Sequence, residues 1–257
     1  PDGKRVVTAS DDQTARLWET GSGSGPNADW TEVAVLKAHT GLVRSASFSP
    51  NGKRVVTASD DHTAILWDAA SGQKIAVLKA HTGEVIAASF SPDGKRVATA
   101  SSDETARLWD ASSGQEIAVL KAHTGFVVAA SFSPDGKRVV TASEDQTARL
   151  WEPESGSGPS AEWKVIGVLK AHTSGVNAAS FSPDGKLVVT ASDDHTARLW
   201  EPGSLSGPGA DWTEVAVLKA HTNGVNTASF SPDGKRVVTA SHDQTARLWD
   251  ASSGQEI

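Results

Sequence analysis

Short apolar runs, none with a 3.6-residue period, carry this chain. Within residues 123–163, the apolar and small run 126–132 leads into Ser133-Pro134-Asp135-Gly136. Pro second and Gly fourth are what a type I turn feeding a hairpin asks for. Residues 138–143, Arg-Val-Val-Thr-Ala-Ser, are largely β-branched or small and bounded by turn signals, so they read as a strand. Glu144-Asp145-Gln146 is a tight polar turn, 147–151 a third strand and 165–170 a fourth after a Gly/Ser/Pro stretch. Such strands, joined by hairpins at short intervals, predict an antiparallel all-β fold with helix nearly absent.

The same unit recurs six times. Leu-Trp ends at Trp18, Trp67, Trp109, Trp151, Trp200 and Trp249, at intervals of 42 or 49 residues. Each Trp follows by six residues an Asp: Asp12, Asp61, Asp103, Asp145, Asp194 and Asp243. Ala-His-Thr precedes five of the units, at His39, His81, His123, His172 and His221. A period near forty residues signals a repeat architecture. A four-stranded sheet per repeat, buried on both faces by its neighbours, is a propeller blade, and the Val, Ala, Ser and Thr of the strands suit close sheet packing.

The Ala-His, Ser-Pro-Asp-Gly and Asp-x-Thr-x-x-Leu-Trp-Asp/Glu elements, in that order, resemble the WD40-repeat family of β-propellers over essentially the whole chain, residues 1–257. The family's Gly-His is Ala-His here, and its Trp-Asp is Trp-Glu at Glu19, Glu152 and Glu201. The expected architecture is therefore a β-propeller of four-stranded antiparallel blades, about six of them represented. First strands near residues 42, 84, 126, 175 and 224 number five, so the first blade lacks its innermost strand and the last most of its outermost. The ring is expected to be incomplete at both ends, with self-association through unpaired end strands as one consequence. The absence of Met, with Pro1 inside a turn and Ile257 inside a unit, suggests a segment of a longer tandem array.

His, Thr, Asp and Trp recur in register: His39, Thr57, Asp61, Trp67; His81, Thr99, Asp103, Trp109; His123, Thr141, Asp145, Trp151; His172, Thr190, Asp194, Trp200; His221, Thr239, Asp243, Trp249. Hydroxyl, imidazole and carboxylate are also the ingredients of a nucleophile triad. Five copies fit a building element better than an active site, and the resemblance implies a buried hydrogen-bonded tetrad that ties strands together. No catalytic residue is expected. Histidines set one per blade cannot share a metal, and neither metal nor cofactor is expected.

Three slots vary between copies. One lies three residues after the His: Leu42, Glu84, Phe126, Gly175 and Gly224. Another lies five after it: Arg44, Ile86, Val128, Asn177 and Asn226. The third precedes the turn Asp: Asp11, Asp60, Ser102, Glu144, Asp193 and His242. By resemblance these slots lie on the top face around the central channel, where partners bind. Neutral drift at exposed positions is the bland explanation, but Leu, Ile, Phe, Val and Arg suit an interface better than a solvated rim. The 49-residue repeats also insert loops at 22–30, 155–163 and 204–212, each ending at a Trp that either anchors the loop or serves as a binding finger. His62 and His195 are turn residues expected in solvent.

Composition narrows the classes. Net charge is −7, Lys and Arg are dispersed, and no basic patch favours nucleic acid. No run is long enough to span a membrane and no signal peptide is visible, so no membrane partner and a cytoplasmic setting are the expectation. With no Cys, disulfides and thiolate metal sites are excluded. With no Tyr and no aromatic shared by every blade's variable slots, a lectin is a weak alternative. The reading is a non-catalytic scaffold for a protein or peptide partner, similar to the C-terminal propellers of large bacterial signalling proteins. A structural or oligomerising propeller is the alternative.

Overall fold

The computed structural model describes residues 3–21, 29–154, 162–203 and 212–257. Twenty-two strands form six antiparallel sheets, and no helix occurs among the described residues. Blade one comprises β1 (Arg5–Ala9), β2 (Thr14–Thr20) and β3 (Trp30–Lys37); blade two, β4 (Val43–Phe48), β5 (Arg54–Ser59), β6 (Ala64–Asp68) and β7 (Lys74–Leu78). Blade three holds β8 (Val85–Phe90), β9 (Arg96–Ser101), β10 (Thr105–Asp110) and β11 (Glu116–Lys121); blade four, β12 (Val127–Phe132), β13 (Val139–Ser143), β14 (Ala148–Pro153) and β15 (Trp163–Leu169). Blade five holds β16 (Val176–Phe181), β17 (Val188–Ser192), β18 (Ala197–Pro202) and β19 (Trp212–Leu218); blade six, β20 (Val225–Phe230), β21 (Arg236–Ser241) and β22 (Ala246–Asp250). These are propeller blades, as the strand pattern predicts. The first and last sheets have three strands, the last extended by a single bridge from Trp249 to Glu256.

The turns behave as their residues dictate. In Ser133-Pro134-Asp135-Gly136 the Gly136 N–H donates to the Ser133 carbonyl at 2.8 Å, and Gly136 takes a left-handed φ of 69°. This is the one turn position where a side chain would be strained. The opposite hairpin is less comfortable. Gln13, His62, Glu104, Gln146, His195 and Gln244, each directly after the turn Asp, adopt φ near 68° although none is Gly. In Asp145-Gln146-Thr147 the Asp145 carboxylate takes both the Thr147 N–H (3.0 Å) and hydroxyl (2.6 Å), which holds the turn in that conformation.

Each core cluster is shared by two successive blades. Trp151 of blade four packs with Ala98, Ala100, Leu108 and Leu120 of blade three, and Trp200 of blade five with Val140, Ala142 and Leu150 of blade four. Small residues on the facing strands let the indole lie between the sheets. Innermost strands are joined side by side: the Ser47, Ser89, Ser131 and Ser180 hydroxyls donate to the Ala88, Ala130, Ala179 and Ala228 carbonyls of the next blade. The sheets do not close into a ring, and Val6 on blade one and Val238 on blade six are 41% and 43% exposed, whereas Val55 and Val189 in the equivalent slots of blades two and five are fully buried.

Candidate functional site

Two layers meet at the end of the blades that carries the His loops and Asp turns, here called the top. The inner layer is the tetrad. In blade three, His81 Nδ1 lies 2.8 Å from Asp103 Oδ2 and its Nε2 2.8 Å from Thr99 Oγ1, which accepts the Trp109 indole N–H at 2.8 Å. The other sets, His39-Thr57-Asp61-Trp67, His123-Thr141-Asp145-Trp151, His172-Thr190-Asp194-Trp200 and His221-Thr239-Asp243-Trp249, repeat this within 0.1–0.2 Å. Among the described residues of blade one, the Trp18 indole N–H donates to Thr8 at 3.0 Å.

Proton order follows from the partners. The indole can only donate, so Thr accepts from it and turns its own proton to Nε2; that leaves Nδ1–H for the carboxylate. The Thr hydroxyl is thereby engaged on both sides, and it is fully buried. Burial pushes the His81, His123 and His172 imidazoles below their ordinary value, against the pull of Asp103, Asp145 and Asp194. Burial alone would raise the Asp103 carboxyl, but hydrogen bonds from Thr105, His81 and the Thr82 N–H bring it down to about 2. The result is a neutral imidazole on a charged carboxylate.

A pH dependence follows. Above the unfolded imidazole pKa of about 6.5 the neutral His81, His123 and His172 contribute fully. Below it the unfolded chain binds protons that the folded chain resists binding, so stability falls as pH falls. Melting temperature should therefore drop between about pH 7.5 and 5, before the carboxylates protonate. A flat or rising profile on acidification contradicts a neutral His81, His123 and His172.

The outer layer consists of the variable slots, and the structure brings them together blade by blade. The amide after each turn Ser donates to the carbonyl of the slot three after the His: Asp60 to Leu42, Ser102 to Glu84, Glu144 to Phe126, Asp193 to Gly175 and His242 to Gly224, at 2.9–3.0 Å. Arg44, Ile86, Val128, Asn177 and Asn226 are each the extra residue of a β-bulge, between Val43 and Ser45 in blade two and at the same place in the others. A bulge re-aims its side chain, here away from the regular pleat beside the other two slots. Arg44 forks onto Asp60 (2.7 and 2.6 Å), and Asn177 donates to Asp193 at 2.6 Å. The Asp60 hydrogen bond, against desolvation, and then the charges of Glu84 and Asp11 from the flanking blades, hold the Arg44 guanidinium more firmly protonated.

Gly41, Gly83 and Gly125, one residue before the first slot, escaped the sequence reading. A Cβ on Gly125 would lie 2.8 Å from the Asp145 nitrogen, so in blade four the His loop crosses the Asp turn this closely only without a side chain there. In blades five and six Ser174 and Asn223 hold this position, and the glycine moves on to Gly175 and Gly224. Leu42, Glu84 and Phe126 thus present side chains where blades five and six have glycine. Phe126 is 46% exposed. Leu42, Ile86 and Val128 are half-buried, and Asp11, Glu84, Glu144, Asp193, Asn226 and the turn residues His62, His195 and His242 are exposed.

The inserted loops fall mostly outside the described residues, but their terminal Trps do not. Trp163 and Trp212 are buried, Trp163 against Ile117 and Ala118 of blade three and Trp212 against Ile166 of blade four. They are anchors. Trp30, in the first described blade, is exposed. No group of three potential metal ligands occurs among the described residues.

A family model described as WD domain, G-beta repeat matches residues 1–19, 30–68, 72–110, 114–152, 163–201 and 212–250. No curated protein matches the chain.

Proposed function

This chain belongs to the WD40-repeat family, whose propellers are typically non-catalytic scaffolds that bind proteins or peptides, and from that premise we propose that it holds a protein or peptide partner on the top face of blades two to four. Supporting this reading above all is Phe126, a large aromatic left exposed beside the bulged Val128. Leu42 and Ile86 extend the apolar arc. Asp11, Asp60, Glu84 and Glu144 flank it, and the one arginine, Arg44, is engaged by Asp60. An apolar anchor in an acidic frame suits a basic segment carrying an aromatic or aliphatic residue. A sensor or recruitment role within a larger signalling protein fits the same surface.

Phe126→Asp should abolish partner binding while the fold stays intact, because the side chain supports no core cluster. Asn226→Asp, on blade six, should change binding little. Affinity capture followed by a crosslink map decides: links concentrated near Trp30, Trp163 and Trp212 would move the binding surface to the loops. Under the alternative, a structural propeller that associates through the uncovered faces bearing Val6 and Val238, mass in solution would exceed the monomer and Phe126→Asp would leave it unchanged.

A further inference from the structure

The face opposite the His loops carries the Ser-Pro-Asp-Gly turns, and there each blade is riveted to the next by an arginine. Arg5 donates to the Ala69 carbonyl (3.1 Å), Arg54 to Ala111 (2.6 Å), Arg96 to Gly136 (2.6 Å) and Arg138 to Gly185 (3.1 Å). Three of these guanidinium groups also lie over a Phe of the following blade: Arg5 over Phe48, Arg96 over Phe132 and Arg138 over Phe181, at 5.1–5.9 Å from the ring centre. An arginine held by a carbonyl and an aromatic face is a repeated device of this scaffold.

Blade five breaks it. The residue that should rivet blade five to blade six is Leu187. The Gly234 and Ala251 carbonyls of blade six receive no guanidinium, and Phe230, the counterpart of Phe132 and Phe181, is half-buried, as Phe48 and Phe90 are, with no guanidinium over its ring. Two adjoining cavities of about 300 and 390 Å³ open at this junction, sharing Leu187 and Gly234. Asp184 and Asp233 line one and Asp250 and Lys235 the other. Ser182, Ser231 and Ser252 hydroxyls hold the three carboxylates in place.

We propose that the notch between blades five and six is a receptor for an arginine side chain supplied by a partner polypeptide. The other junctions show what occupies such a notch: a guanidinium, donating to a carbonyl at its tip and, at three of the four, stacked on a Phe at its flank. Here the acceptor and the ring remain while the in-chain donor is gone. Leu187 adds an apolar wall for the arginine methylenes. Asp184, Asp233 and Asp250 line the mouth together with Lys235, and Lys186 lies 3.6 Å from Asp184, so the acceptor and the ring, rather than net charge, single out the guanidinium. A lysine fits less well, since an ammonium lacks the planar group that lies on a ring while donating to a carbonyl in its own plane. The site lies on the face opposite Phe126 and goes beyond the top-face reading.

The test is a titration followed by amide NMR shifts, with N-acetyl-arginine methylamide as the probe and its neutral citrulline counterpart as the control. The arginine probe should give saturable shifts at Leu187, Gly234 and Ala251, and citrulline should bind about tenfold more weakly because it keeps the shape and loses the charge. Leu187→Arg should abolish the shifts, since its own guanidinium fills the notch as Arg138 does one blade earlier, and should raise the melting temperature. If that variant fails to fold, Phe230→Leu must weaken the arginine probe several-fold. Absence of saturable shifts, equal affinity for citrulline, or shifts that survive Leu187→Arg or are unmoved by Phe230→Leu would overturn the proposal. Phe126→Asp leaves this titration unchanged, so failure here and failure of the top-face reading are told apart.

Discussion

Trp151→Ala should destabilise the protein by about 3–5 kcal/mol, the range for removing a large buried aromatic. The indole is 2% exposed, sits between blades three and four against Ala98, Ala100, Leu108 and Leu120, and donates its N–H to Thr141 at 2.9 Å. Small neighbours cannot lean in to fill the void, because Ala98 and Ala100 have no atoms to spare. Trp151→Phe keeps most of the area and loses the donor, so it should cost markedly less. In a stacked array each unit touches only its neighbours, so the damage is expected to be local. Hydrogen exchange should accelerate at the blade three–four junction and leave blade six near its original protection. Uniform acceleration across all blades would mean that the sheets unfold as one unit.

The fold was legible because it is written six times. A fixed offset from His to Thr, Asp and Trp can be satisfied only by equivalent strands, so the register of one blade predicts all the others. Single positions with a role in three dimensions were harder to read. The bulged strands mix small, polar and apolar residues without strict alternation, so the extra residue at Arg44, Ile86, Val128, Asn177 and Asn226 leaves no mark in the pattern. Left-handed backbone at Gln13 or Glu104 is equally hidden, since the sequence shows no Gly there. Gly125 looks like ordinary loop glycine until the crossing Asp145 turn is seen beside it.

The site was half legible for a related reason. Variation between copies located the three slots, and the structure joins two of them through the bond from the Glu144 N–H to the Phe126 carbonyl and its counterparts. Which slots are free to bind was not readable, because Arg44 looked like an anchor and is already forked onto Asp60. Likewise Leu187 is one changed letter in a repeated Lys-Arg pair. Its meaning depends on where the arginines of the other blades reach, and that lies across a blade junction 40 or more residues away.

Asp103→Ala should destabilise by about 1–3 kcal/mol without altering any chemistry, since the carboxylate serves structure. It accepts four hydrogen bonds: His81 Nδ1 at 2.8 Å, the Thr82 N–H at 3.1 Å, and the Thr105 N–H and hydroxyl at 3.0 and 2.6 Å. Its loss leaves His81, buried behind it, with a donor and no acceptor. It also frees the turn in which Glu104 is held at a φ of 67°. The two effects are separable. Glu104→Gly removes the left-handed penalty, so in the Asp103→Ala background it should recover more stability than in the wild-type background, where the Asp103 carboxylate already enforces that conformation. Chemical denaturation of the two single variants and the double variant measures this coupling. An unchanged denaturation midpoint for Asp103→Ala would remove the tetrad from the list of forces holding blade three. Equal effects of Glu104→Gly in both backgrounds would show that the carboxylate acts on His81 alone.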